Sequence, residues 1–140
     1  MTNRSLAQSY LEKARKRLRV LDVLVDEQAY SDVVREAQEL VELALKGMLR
    51  HAGVEPPKWH DVGAILSDYR DRFPSVTADD LARLGQASAW LRKEREFSFY
   101  GDIDFIPTER YTRADADRAL ADARFVLEIA LRVIEGRTQG

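Results

Sequence analysis

A chain of 140 residues with 45% hydrophobic and 33% charged residues carries too much apolar material for a disordered segment and too much charge for a membrane protein. It contains no cysteine, which excludes disulfides, thiolate nucleophiles and cysteine zinc sites together and leaves stability to packing. Its formal net charge of -2 gives no overall attraction to nucleic acid, so any RNA contact must rest on a local basic surface.

The first apolar stripe passes through Leu6, Tyr10, Leu11, Ala14, Leu18, Leu21, Leu24 and Val25. Steps of three and four predict a helix from about Ser5 to Val25. Val33, Val34, Ala37, Leu40, Val41, Ala44, Leu45, Met48 and Leu49 keep the period through a second long helix, which Gly53 stops ahead of Pro56 and Pro57. A shorter pattern, Val62, Ile65, Leu66 and Tyr69, fits about three turns of helix ending near Phe73 and Pro74. Thr77 with Asp80 three residues later resembles a capping box, and Leu81, Leu84, Ala87 and Leu91 carry a fourth helix from about Ala78 to Phe97.

From Ser98 to Tyr111, with Gly101 and Pro107, the period is lost. Phe99, Tyr100, Phe105, Ile106 and Tyr111 are too apolar for a disordered linker, so an ordered loop packed on the bundle is expected. Thr112 with Asp115 then caps a last long helix through Ala116, Ala119, Leu120, Ala123, Val126, Leu127, Ala130, Leu131 and Ile134.

No segment alternates like a strand. The chain therefore reads as an all-α, antiparallel up-and-down bundle of four long helices plus a short fifth. Without a repeat or a shift of composition, residues 1–140 are expected to form one domain with a frayed tail from about Gly136. No apolar run reaches the ~20 residues of a membrane helix, and the start lacks the apolar block of a signal peptide. No membrane association and a cytoplasmic location are expected.

Several constellations carry potential chemistry. On the second helix Glu39, Glu42 and Lys46 lie close to one face, with Glu42 and Lys46 in the favourable i to i+4 order. Taken alone these residues, with Glu36, read as a surface ion-pair ladder. A carboxylate-bridged metal centre would need Glu-x-x-His pairs, which are absent from the chain, so neither a metal nor another cofactor is expected. His51 reads as a solvated helix end, and His60, after the PPKW turn, as a residue that holds the start of the third helix. The basic run Lys13, Arg15, Lys16, Arg17 and Arg19 spreads over more than one direction and reads as a solvated face. A helix-turn-helix centred on Gly85 finds no loop signal in the apolar period.

The stretch from Trp90 to Asp102 is the most informative, because it sets arginines at a helix end beside an aromatic loop. Two readings stand. Arg92 and Arg95 fork onto a phosphate while Tyr100 supplies a hydroxyl. Alternatively, Arg95 pairs with Asp102 or Asp104 while Phe97, Phe99 and Tyr100 close the end of the bundle.

Taken together, AQELVELALKGMLRHAGVEPPKWHDVGAIL, with Glu42 and Lys46 in the helix and His60 opening the next, resembles the second and third helices of HEPN domains. Arg95, Tyr100, Gly101, Tyr111 and Ala116 fall where the family pattern places an arginine, a loop ending in an aromatic and the entry to the last helix. The resemblance runs from the first helix to Ile134. Ribonuclease members of the family share an arginine followed, after four to six residues, by histidine. Here the run is REFSFY, with Glu96 after Arg95 and Tyr100 where the histidine would stand.

The resemblance thus implies Arg95 as the phosphate-holding residue with Tyr100 as a weaker catalytic donor. A tyrosine of ordinary pKa near 10 is a poor base at neutral pH. It further implies a homodimer with two such sites facing one another, and a small nucleotidyltransferase as partner in a toxin-antitoxin-like system. The expected function is nucleotide or RNA phosphate binding around Arg92, Arg95 and Tyr100. The alternatives are a metal-independent endoribonuclease toxin with tyrosine in place of histidine, and a structural dimerisation module. Tyr100 is also a candidate target of nucleotide transfer by the partner enzyme.

Overall fold

The computed structural model describes residues 2–58, 61–99 and 106–136. Among them it is all helical, with α1 Asn3–Asp26, α2 Tyr30–His51, α3 Val62–Asp68, a 3-10 turn Arg70–Arg72, α4 Ala78–Phe99, α5 Pro107–Arg110 and α6 Arg113–Glu135. The four long helices have 24, 22, 22 and 23 residues. At 1.5 Å per residue they are all about 33–36 Å long, so each covers its neighbours from end to end in an antiparallel bundle.

The helix ends follow local chemistry. Thr2 caps α1 by accepting from the Ser5 amide. Thr77 accepts from Asp80 N at 3.1 Å, and Thr112 with Asp115 forms a full capping box at α6. At the end of α2, Gly53 has φ 78°, while Gly53 N donates to Arg50 O and Val54 N to Leu49 O. This is the paired closure in which a left-handed residue satisfies the last carbonyls. The α1–α2 turn uses the same device with Gln28 at φ 59°.

Helix α2 is the centre of the bundle, packed by α1, α6, α4 and α3. Its residues Val33, Val34, Ala37, Leu40, Val41, Ala44, Leu45, Met48 and Leu49 are all buried. They meet Leu11, Ala14 and Leu21 of α1, Leu84 and Leu91 of α4, and Ala123, Val126, Ile129 and Ala130 of α6 in one core. Each large side chain so buried contributes about 1.5–3 kcal/mol, far more than an exposed ion pair. Gly47 lets three helices approach: a Cβ there would stand 3.2 Å from Ile134 Cδ1 and 3.5 Å from Ala7 O.

Three local expectations change. The third helix stops at Asp68 and continues as the 3-10 turn, where Arg72 Nη1 donates to Ala52 O at 2.9 Å and ties the turn to the end of α2. Helix α4 runs on to Phe99, two residues beyond the expected Phe97. The stretch expected to be loop contains the one-turn helix α5, started by Pro107 at the position where its missing N–H costs nothing. Of that stretch's apolar residues, Tyr111 is buried whereas Ile106 is 50% exposed and does not pack on the bundle. Tyr100, Gly101 and Phe105, like Asp102 and Asp104, lie outside the described residues, as does His60.

Candidate functional site

One wall of the site is a face of α2. Gln38, Val41 and Glu42 share it, and Glu42 is held from both sides: Gln38 Nε2 donates to its Oε2 at 3.1 Å and Lys46 Nζ lies 3.0 Å from its Oε1. Burial pushes the Glu42 carboxyl up. The hydrogen bonds from Lys46 and Gln38, with the charges of Lys46 and Arg95, outweigh it and hold the group below its ordinary value. Glu42 is therefore a fixed carboxylate at neutral pH.

The opposite wall comes from α3 and α4. Asp61 caps α3, its Oδ1 accepting from Gly63 N at 3.0 Å and from Ser88 Oγ of α4 at 2.9 Å. Glycine at position 63 is what permits the approach: a Cβ there would stand 2.8 Å from Ser88 Cβ and 3.1 Å from Gly85 Cα. Further along α4, Arg95 Nη2 reaches Glu39 Oε1 on α2 at 2.6 Å. The same end of that helix is also held by Tyr111, whose hydroxyl donates to Glu94 Oε2 at 2.7 Å. Burial and this acidic neighbour push the Tyr111 phenol well above its ordinary value.

Between the walls lies a cavity of about 200 Å³ lined by Gln38, Val41, Glu42, Lys58, Val62, Ser88, Arg92 and Arg95. Three cations and one carboxylate face it. Arginine presents a planar fork suited to phosphate and carboxylate oxygens, so the arrangement can take an anion, with hydrogen-bonding groups on the α2 side to orient it.

The structure brings together Arg92, Arg95 and Glu42, with Lys46 directly behind Glu42. Tyr100 and His60 lie outside the described residues. The pairing of Glu42 with Lys46 is as expected from their spacing, whereas Glu39 leaves that ladder for Arg95, and Glu36 pairs with Arg17 and Arg35. In the basic run of α1, Arg15 pairs with Glu135 at 2.8 Å, and Lys13, Lys16 and Arg19 are exposed. Helix α4 passes through Gly85 unbroken, which removes the helix-turn-helix. Gln38, Lys58 and Ser88 belong to the cavity and were not singled out by sequence. For Gln38 a signal existed, since it is a polar residue set within the apolar stripe of Val34, Ala37 and Val41.

A family model for the HEPN domain matches residues 7–134. The chain belongs to the HEPN family. A relative in Methanocaldococcus jannaschii, named "Putative toxin MJ1304", is 27% identical over 134 residues, covering 91% of this chain and 87% of the relative. The crystal structure of TT1696 from Thermus thermophilus superposes with a TM-score of 0.75 at 26% identity, covering 91% of this chain and 97% of that one. That of ST0689, described as an archaeal HEPN homologue, gives 0.68 at 24% identity with the same coverage and supports the fold. The HEPN match spans all four long helices and both walls of the cavity. Among the described residues, no helix is long and apolar enough to cross a membrane.

Proposed function

We propose that this HEPN domain binds the phosphate of a nucleotide or of RNA in the cavity between α2 and α4, and acts as the toxin-like member of a toxin-antitoxin pair whose other member is a small nucleotidyltransferase. The observation that carries the binding is the convergence of Lys58, Arg92 and Arg95 on one small cavity. Arg95 is oriented there by Glu39, so less freedom is lost when a phosphate arrives. The toxin-like role is supported by the name of the M. jannaschii relative. A homodimer that sets two such cavities face to face, in one domain spanning the chain and located in the cytoplasm, completes the reading.

A second reading, also toxin-like, is a metal-independent endoribonuclease in which Arg95 stabilises the charge developing on the scissile phosphate and Tyr100 replaces the histidine. One set of samples separates the two. Wild type and Arg95→Ala are titrated with AMP and assayed for cleavage of mixed RNA in EDTA, with oligomeric state measured alongside. The binding role predicts no cleavage by either protein and AMP affinity weakened roughly 10- to 100-fold by Arg95→Ala, the range of a charge-assisted hydrogen bond of about 1.5–3 kcal/mol. Cleavage by wild type alone, with both proteins dimeric, would replace it with the ribonuclease. Dimers without nucleotide affinity or cleavage would leave only a dimerisation module.

A further inference from the structure

Among the described residues the exposed large apolar side chains are Val20 at 45%, Val23 at 60% and Ile106 at 50%. Two of them sit together on α1. At about 100° per residue, Val20 and Val23 lie about 60° apart around the helix and form one narrow outward stripe. Lys16 and Glu27 are also exposed, and both fall inside that arc, about 20° from each other. Glu27 follows the last residue of α1 with φ -81° and ψ 0°, so it keeps the helical path. Neither charge has an ion-pair partner among the described residues.

Along the stripe the order is Lys16, Val20, Val23, Glu27, and this order is symmetric. The point midway between the two valines is also midway between the two charges. A twofold axis through that point, perpendicular to α1, lays a second α1 antiparallel on the first. Val20 then meets Val23 of the other copy and Lys16 meets its Glu27, each contact occurring twice, with the two ion pairs about 16 Å apart along the helix. A parallel pairing would set lysine on lysine and glutamate on glutamate, which repel.

We propose that this stripe of α1 is a self-association surface whose occupant is the same stripe of a second copy. It is separate from the cavity, since α1 packs on α2 and α6 whereas the cavity opens between α2 and α4. Two valines on each side make a small interface, of the weak class below ~1,200 Å². Pairing through it therefore rises with concentration, and it joins single copies and cavity-facing dimers alike.

The test is sedimentation of the full chain from about 10 μM to about 1 mM, the range in which a weak interface fills. Wild type is expected to show a concentration-dependent association step. Lys16→Glu and Glu27→Lys each turn two attractive pairs into two repulsive ones and should weaken that step about tenfold or more. Because Glu27→Lys brings the formal net charge from -2 to zero, a loss in that variant is local and not overall repulsion. An equimolar mixture of the two variants should restore the step, since each copy then meets the opposite charge at both positions. Val23→Ala, which alters no charge, should weaken the step as well and serves where a charge reversal disturbs the fold. Absence of the step in wild type would overturn the proposal. So would a step that all three variants leave unchanged, which would assign association to another face, or a mixture that associates no better than its components. AMP binding in the cavity is measured separately and stands or falls without α1.

Discussion

The face of α2 that meets α1 and α6 and the face that meets α3 and α4 differ in one helix. On the first, Leu40 and Ala44 stand seven and three residues before Gly47, hence on its side of the helix, and the contacts of Gly47 are Ile134, Ala7 and Tyr10. That face is fully buried and apolar. On the second, Val41 is joined by Gln38 and Glu42, and a cavity remains. Buried polar groups require partners, which Lys46, Gln38 and Arg95 supply for Glu42 and Glu39, with Gln38 Oε1 left over. Apolar packing is concentrated on the first face, whereas the second carries the polar side chains that line the cavity.

The largest effect should come from breaking the apolar face. Leu40 is 0% exposed, and Leu40→Ala is expected to cost about 2–5 kcal/mol in urea denaturation. In the fraction that remains folded, AMP affinity should be unchanged, which would separate the two faces; a parallel loss of affinity would join them. Gly63→Ala attacks the other wall. Its Cβ would lie 2.8 Å from Ser88 Cβ and 3.1 Å from the α4 backbone, so α3 must move. Overpacking of this kind costs about 1–3 kcal/mol, more than the roughly 0.5–1 kcal/mol alanine gains over glycine inside a helix. Because the shift also pulls Ser88 from Asp61, affinity and stability should fall together here.

The long helices were legible because each buries one stripe against the core, and a stripe of period 3.6 is visible in one sequence. The break at Asp68 was not: the apolar spacing of Val62, Ile65, Leu66 and Tyr69 suits the α-helix and the 3-10 turn that follows equally. Four residues of α5 are too few to show a period. In the site, Arg92 and Arg95 stood out as cations closing a helix beside aromatics, and Glu42 with Lys46 by their spacing. Lys58 and Ser88 carry no such mark. Lys58 reaches the cavity from the segment after α2 and Ser88 through the close α3–α4 contact at Gly63, and so both depend on tertiary structure. The Arg95–Glu39 pair joins two helices whose register a single sequence does not reveal.

The smallest effect, and the one that tests the polar face most directly, is the pH dependence carried by Glu42. Burial raises its carboxyl, but Lys46, Gln38 and Arg95 together hold it below the ordinary value of 4.5. The folded protein then binds this proton less readily than the unfolded chain. Glu42 therefore stabilises the fold above the ordinary carboxylate range, and that contribution disappears as pH falls through 4.5 toward the folded value. Glu42→Gln removes the titration with little change of volume. Since the Glu42 side chain is 30% exposed and one partner is an i to i+4 lysine, the loss at neutral pH should be about 0.5 kcal/mol. Urea denaturation across the acid range should show the variant losing stability less steeply than wild type and approaching it at low pH. Parallel curves would mean that the cations beside Glu42 leave its proton affinity unchanged on folding. Leu40→Ala should shift the whole curve down without changing its slope, since no titrating group is touched on the apolar face.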